Sequence, residues 1–166
     1  RVLKPWTPVE VTQVEDVIRV STWGRSYEFA GSPFPIQVTS REYSMLAGPP
    51  MLRAKINGVI SPQQRGKIEV IEQTPSRTRL QAVVPGEAFD VHSETVIEYD
   101  GMIRIDWKIV PRREVRLDEL VFELPVRSDH ARYLHSFYGR AHLTGRSDWR
   151  TTYSGAVPEE GYISDF

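Results

Sequence analysis

A chain of 166 residues, 40% hydrophobic and 26% charged, is long enough for one ordinary domain with a buried core. Its formal charge of −1 provides no global field for nucleic acid or an acidic membrane surface, and no apolar run approaches membrane-spanning length. The absence of Cys removes disulfides, thiolate chemistry and cysteine zinc sites.

Taken in chain order, the lead-in from Val2 to Val11 carries Pro5, Trp6 and Pro8 and reads as an extended edge segment. Val17 to Thr22 alternates and reads as a strand. Trp23-Gly24-Arg25 reads as a tight turn or bulge, and Tyr27 to Phe29 as a second strand. Gly31 to Pro35 is a loop, because two prolines rule out regular pairing there. Ile36 to Ser40 is a short strand. Met51 to Ile56 is another, closed by an Asn57-Gly58 turn that predicts a hairpin into Val59 and Ile60. Lys67 to Gln73 and Arg77 to Val84 alternate on either side of Thr74-Pro75-Ser76.

Val91 to Val110 is the clearest β signal: two runs of β-branched and aromatic residues around Asp100-Gly101. In the second run Ile103, Ile105, Trp107 and Ile109 share one face, so this strand buries one face only. A two-residue loop would set Glu98, Glu94 and His92 on that apolar face, which is costly without partners. A three-residue loop, Tyr99-Asp100-Gly101 with Gly101 left-handed, instead pairs Ile97 with Ile103, Thr95 with Ile105 and Val91 with Ile109. A one-residue slip exchanges every side chain between faces, so the hydrophobic pattern selects the three-residue loop.

Val115 to Leu124 alternates again until Pro125. Asp129 to Phe137 predicts one short helix, with Asp129 as N-cap and Ala131, Leu134 and Phe137 or Tyr138 near helical spacing. Gly139 to Gly155 reads as a long loop, and Tyr162 and Ile163 as the start of a last strand. Many short strands, turn signals and almost no helix define an all-β fold: an antiparallel β-sandwich, with a supersandwich as its larger variant. We expect a single domain over residues 1–166. Arg1 carries no initiator Met or signal-like segment before it, and this leads us to expect a piece of a longer protein.

The chemistry-bearing residues are sparse. His130 and His135 are five apart, not on the i, i+4 face of zinc hydrolases, and no metal or cofactor site is expected. Asp118-Glu119 is an adjacent acidic pair, but neighbours in a strand point to opposite faces, so we read it, like Glu159-Glu160, as solvated. Arg112, Arg113 and Arg116 read as a solvated strand end, not a nucleic-acid surface. The aromatics are more suggestive. Trp6, Trp23, Trp149, Tyr138 and Tyr153 fall in expected loops or edges, where a sugar ring can stack on an exposed π-face while Arg, His or Asp takes its hydroxyls. The carbohydrate-contact candidates are Trp149, Tyr153, Tyr138, Arg140 and His135, with Arg146, Asp148 and Arg150 around Trp149. Trp23 and Trp107 are expected instead to fill the core.

Five strings carry a resemblance in order and spacing: Lys4-Pro5-Trp6-Thr7-Pro8-Val9, Trp23-Gly24-Arg25-Ser26-Tyr27-Glu28-Phe29, Leu46-Ala47-Gly48-Pro49, Ile97-Glu98-Tyr99-Asp100-Gly101-Met102-Ile103 and Tyr133-Leu134-His135. Together they resemble the N-terminal β-domain of bacterial proteins similar to glycoside hydrolase family 123. The resemblance implies a non-catalytic β-sandwich that partners its own downstream catalytic (β/α)8 barrel in an extracytoplasmic protein. It also implies a parent enzyme similar to substrate-assisted β-N-acetylgalactosaminidases, with its catalytic Asp-Glu pair on the barrel. No position here matches that pair, so no catalytic residue is assigned. In such proteins the β-domain continues beyond a segment like Pro158-Glu159-Glu160-Gly161, which implies missing last strands and an unpaired edge near Phe166.

Two alternatives stay open. One is a stand-alone carbohydrate-binding module using Trp149, Tyr153 and Tyr138. The other is a lyase or epimerase on a β-supersandwich, using His135, Tyr138 and Arg140. Neither membrane nor nucleic acid is expected as a partner.

Overall fold

The computed structural model describes residues 2–61, 64–138 and 151–156. They fall into two compact units, Arg1–Pro125 and Val126–Phe166.

In the first unit, β1 (Glu10–Val14), β2 (Val17–Thr22), β3 (Arg25–Phe29), β4 (Gln37–Ser40) and β5 (Tyr43–Ser44) form an antiparallel meander in chain order. Then β6 (Met51–Ile56) and β7 (Val59–Ser61) pair as a hairpin, and β12 (Leu117–Glu123) adds to the outer side of β6. Between these, β8 (Lys67–Gln73), β9 (Arg77–Val84), β10 (Phe89–Glu98) and β11 (Ile103–Pro111) form a four-stranded sheet ordered β11-β10-β9-β8. All pairings are antiparallel.

Alternation decides the layers. Thr78, Leu80, Ala82 and Val84 of β9 are buried, as are Val91, Ser93, Thr95 and Ile97 of β10, so the four-stranded sheet has one core face. At its Leu80 and Ile97 end that face packs on Ile18, Val20, Tyr27 and Phe29 of the five-stranded sheet. At its Val84 and Val91 end it packs on Leu52 of the three-stranded sheet and on Phe34. The five-stranded and three-stranded sheets therefore share one face of the four-stranded sheet, which is the two-layer solution for sheets with one apolar face.

The central hairpin has the expected register: Ile97 opposite Ile103, Thr95 opposite Ile105 and Val91 opposite Ile109. Gly101 has φ +83° while Asp100 stays out of the left-handed region, and the Gly101 N–H donates to the Glu98 carbonyl at 2.9 Å. This is a type I turn closed by a glycine bulge. Asn57 and Gly58 both take positive φ, 51° and 81°, as a two-residue type I′ hairpin requires.

Three expectations need correction. Asp129 to Phe137 is not a helix. The N–H groups of His130 and Ala131 donate to the Arg127 carbonyl in one turn that does not propagate, and Tyr133–Tyr138 is strand β13. It pairs with β14 (Thr151–Ala156), so the expected loop Gly139 to Gly155 contains part of a strand. A nine-residue helix is marginal by itself, whereas a strand partner satisfies the backbone outright. The third correction concerns Trp23 and Trp107, which are 53% and 41% exposed rather than core residues. The large buried side chains of the core are Phe29, Ile18, Leu52, Leu80 and Ile97. The last strand expected at Tyr162 and the unpaired edge near Phe166 lie outside the described residues.

Candidate functional site: an aromatic concavity at the hairpin turns

The charged clusters singled out by sequence resolve differently. Arg112, Arg113 and Arg116 each hold a carboxylate, from Asp90, Glu87 and Asp118 respectively, so the apparent basic cluster is neutralised locally. The Asp90 carboxyl is held below its usual range, first by the Arg112 hydrogen bond. Asp118 acts structurally. Its Oδ2 accepts the Gly58 N–H at 2.7 Å and so ties the β6–β7 turn to β12. Leu117 and Glu119 flank a register shift in β12, so Asp118 is the residue that the ladder leaves unpaired. Glu159-Glu160 lies outside the described residues.

The sequence-derived carbohydrate set is only partly described. Trp149 and Arg140 fall outside the described residues. Tyr138 and Tyr153 lie on paired strands, with Ser136 opposite Tyr153 and Tyr138 opposite Thr151. His135 lies opposite Ser154. Backbone register thus brings three of the five candidates into one hairpin of the second unit.

A second aromatic group is assembled in the first unit, from four segments distant in sequence. Trp6, Trp23, Gly24, Arg25, Ser40, Arg41 and Asp100 line a concavity of about 570 Å³. That volume lies within the range of small-molecule sites. Each wall has a local cause. Trp23-Gly24 is the two-residue turn between Thr22 and Arg25, with Gly24 at φ +74°, and a turn position carries its side chain off the pleat. Arg41, at φ +55°, begins the β4–β5 turn, and its N–H donates to the Gly24 carbonyl at 2.6 Å, which joins the two turns. Trp6 stands edge-on to Tyr99, with ring centroids 5.8 Å apart and planes at 79°. Asp100 is the tip of the β10–β11 hairpin, where its Oδ1 accepts the Met102 N–H at 2.9 Å.

Next to this wall, the Gly101 carbonyl is a shared acceptor. It accepts the buried Tyr27 hydroxyl at 2.5 Å and an Arg25 guanidinium N–H at 3.2 Å. These bonds latch the tip of the four-stranded sheet to the five-stranded sheet. Burial pushes the Tyr27 phenol above its ordinary value, and the neighbouring Arg25 opposes that shift only in part. A Cβ at Gly101 would stand 3.0 Å from Arg25 Cδ and 3.4 Å from Thr22 Oγ1, so a side chain there would crowd both, at a φ of +83° that already favours glycine. The Thr22 hydroxyl beneath it is buried and has no hydrogen-bond partner among the described residues.

The charges on this concavity stand apart from the rest of the unit. Among its described residues, every arginine except Arg25 and Arg41 has a carboxylate within ion-pair range. These two both line the concavity, and Asp100, the single carboxylate on its described wall, forms no ion pair among the described residues. Two indoles, two guanidiniums, a hydroxyl and one carboxylate can stack on a ring and donate to its oxygens. They cannot run a two-carboxylate hydrolysis, which needs a second acid on the opposite side of the scissile bond. Sequence reasoning had Trp6 and Trp23 among its aromatics but assigned Trp23 to the core. The neighbouring glycine turn was the available signal for its exposure.

The class defined by this fold and site is an antiparallel β-sandwich domain with an aromatic-lined concavity and no acid pair on that concavity's described wall. Residues 12–154 match the family model of the glycoside hydrolase 123 third domain. The match covers most of the chain, and the chain belongs to that family. No curated protein matches it.

Proposed function

We propose that this chain is a non-catalytic β-sandwich component of a glycoside hydrolase, supporting a catalytic barrel elsewhere in the parent protein during carbohydrate degradation. The observation that carries the reading is the family match over residues 12–154, in a family whose designation numbers this as one domain among others. The chemistry agrees with it. The described carboxylates are committed to arginine or lysine pairs, backbone N–H groups or solvent, and Asp118 is anchored to a turn. The partner is then the parent's own catalytic domain. The test is incubation of the purified chain with an aryl β-N-acetylhexosaminide. No release of the aryl group is expected; release in proportion to the amount of this chain overturns the reading.

A second reading, direct contact of this domain with glycan, is favoured by one observation. Trp23 is 53% exposed beside the half-buried Trp6, on a concavity whose arginines have no carboxylate partner among the described residues. The exposed face of that indole is available for a ring to stack on, and covering it would bury apolar surface.

A further inference from the structure

We infer that the concavity at Trp6 and Trp23 binds an acidic pyranose, that is, a sugar carrying a carboxylate or a sulfate ester. The inference rests on the second reading above, and goes beyond it by naming the ligand class. Three features of the wall carry it. The first is the aromatic surface. Trp23 sits on the two-residue turn between Thr22 and Arg25, exposed, and Trp6 is positioned by its edge contact with Tyr99. A sugar ring presents axial C–H groups to such a surface, and the dimensions of the concavity suit one or two rings.

The second feature is the charge. The other described arginines of this unit are each matched by a neighbouring carboxylate; Arg79, for instance, holds both Glu72 and Glu94. Arg25 and Arg41 are not. The only carboxylate on the described wall is Asp100, so the lining carries one net positive charge. A neutral glycan would leave that excess unmatched, whereas a carboxylate or sulfate accepts two guanidinium N–H groups in a bidentate pair. Asp100 and Ser40 remain to accept from and donate to ring hydroxyls.

The third feature is rigidity. Arg25 is held by the Gly101 carbonyl at 3.2 Å, the same carbonyl takes the Tyr27 hydroxyl, and the Arg41 N–H is bound to the Gly24 carbonyl. The two turns and the hairpin tip are thus tied to one another before any ligand arrives, so little backbone ordering is left to oppose binding. Arg25 has N–H groups beyond the one given to Gly101, because a guanidinium carries five.

The experiment titrates the full chain with a galacturonate oligosaccharide, followed by intrinsic tryptophan fluorescence and calorimetry. Parallel titrations use a neutral N-acetylglucosamine oligosaccharide and inorganic sulfate. The acidic oligosaccharide is expected to saturate the signal, binding at least about tenfold more tightly than either control. Trp23→Ala is expected to weaken binding about tenfold or more, on the scale of a lost stacking contact. Arg41→Ala is expected to weaken it and to flatten its salt dependence. Arg104→Ala, which removes an arginine already paired with Asp106, leaves affinity unchanged.

No saturable response to the acidic oligosaccharide, or equal affinity for Trp23→Ala, overturns the site. Equal or tighter binding of the neutral oligosaccharide overturns the ligand class while leaving direct glycan contact standing. Sulfate binding as tightly as the oligosaccharide overturns the sugar component. Failure of the non-catalytic reading is separate, since it registers as aryl release and not as a change in fluorescence.

Discussion

The two ends of the sandwich are built to different standards. Where the five-stranded sheet meets the four-stranded one, Phe29, Val20 and Ile97 are fully buried, and the turns above them are latched by Tyr27 and Arg25. Where the three-stranded sheet meets the other end, the core is smaller. Phe34 serves as its pin, with Phe122 at 4.8 Å and Trp107 at 6.3 Å between ring centroids. Both of those partners sit on edge strands and stay 46% and 41% exposed. Full closure at one end gives rigid turns on which a binding surface can be carried. The other end leaves apolar area on its rim that contributes little to folding.

A pair of truncations puts the largest load on this contrast. Phe29→Ala removes a side chain with no exposed surface and is expected to cost about 3–5 kcal/mol. Phe122→Ala removes a half-exposed ring on an edge strand and is expected to cost no more than about 1.5 kcal/mol. Denaturant unfolding of both variants measures the difference. Equal losses would mean that the three-stranded end closes its core as tightly as the other.

A glycine pair asks the same question of the turns. Gly58 and Gly101 both have positive φ, 81° and 83°, so alanine strains the backbone at either by about 1–2 kcal/mol. At Gly58 nothing lies within 4 Å of the new Cβ, whereas at Gly101 it meets Arg25 and Thr22. Gly101→Ala is therefore expected to be the more destabilising and to weaken ligand binding at the concavity. Gly58→Ala is expected to leave binding intact. Thermal melts and the same titrations separate the two.

Much of this architecture is readable from residue order. The strands Val17–Thr22, Met51–Ile56, Lys67–Gln73 and Arg77–Val84 begin and end where alternation does. The bulged hairpin at Gly101 is readable because only one register keeps Glu94 and Glu98 off the apolar face. The failures share a different cause. Ala131, Leu134 and Phe137 satisfy helical spacing over a stretch too short to exclude a strand, and the deciding partner, Thr151–Ala156, is far along the chain. Phe34 lies between two prolines in a segment that reads as loop, yet it is a buried pin of the core, because burial depends on what folds over a residue. The concavity draws on residues 6, 23–25, 40–41 and 100, a set that no local spacing contains. Each piece is visible alone as a turn or an aromatic. Their convergence depends on the meander and on the latch at Gly101.

That latch supplies the smallest of the expected effects and the most specific. Tyr27→Phe keeps the buried ring and removes the hydroxyl that donates to Gly101, at an expected cost of about 0.5–1.5 kcal/mol at neutral pH. It also changes the response to alkali. Burial raises the folded-state phenol pKa above its unfolded value, so the unfolded chain loses its proton first as pH rises. The stability that Tyr27 contributes is therefore fully present below the unfolded pKa of about 10, and is lost as pH rises from there through the folded value. Denaturant midpoints compared between neutral and strongly alkaline pH should fall more for the native chain than for Tyr27→Phe, and the two should converge at the alkaline end. Parallel curves would mean that the phenol ionises equally easily in both states. The turn would then be held by Arg25 alone, and the contrast between the two ends of the sandwich would rest on packing without the latch.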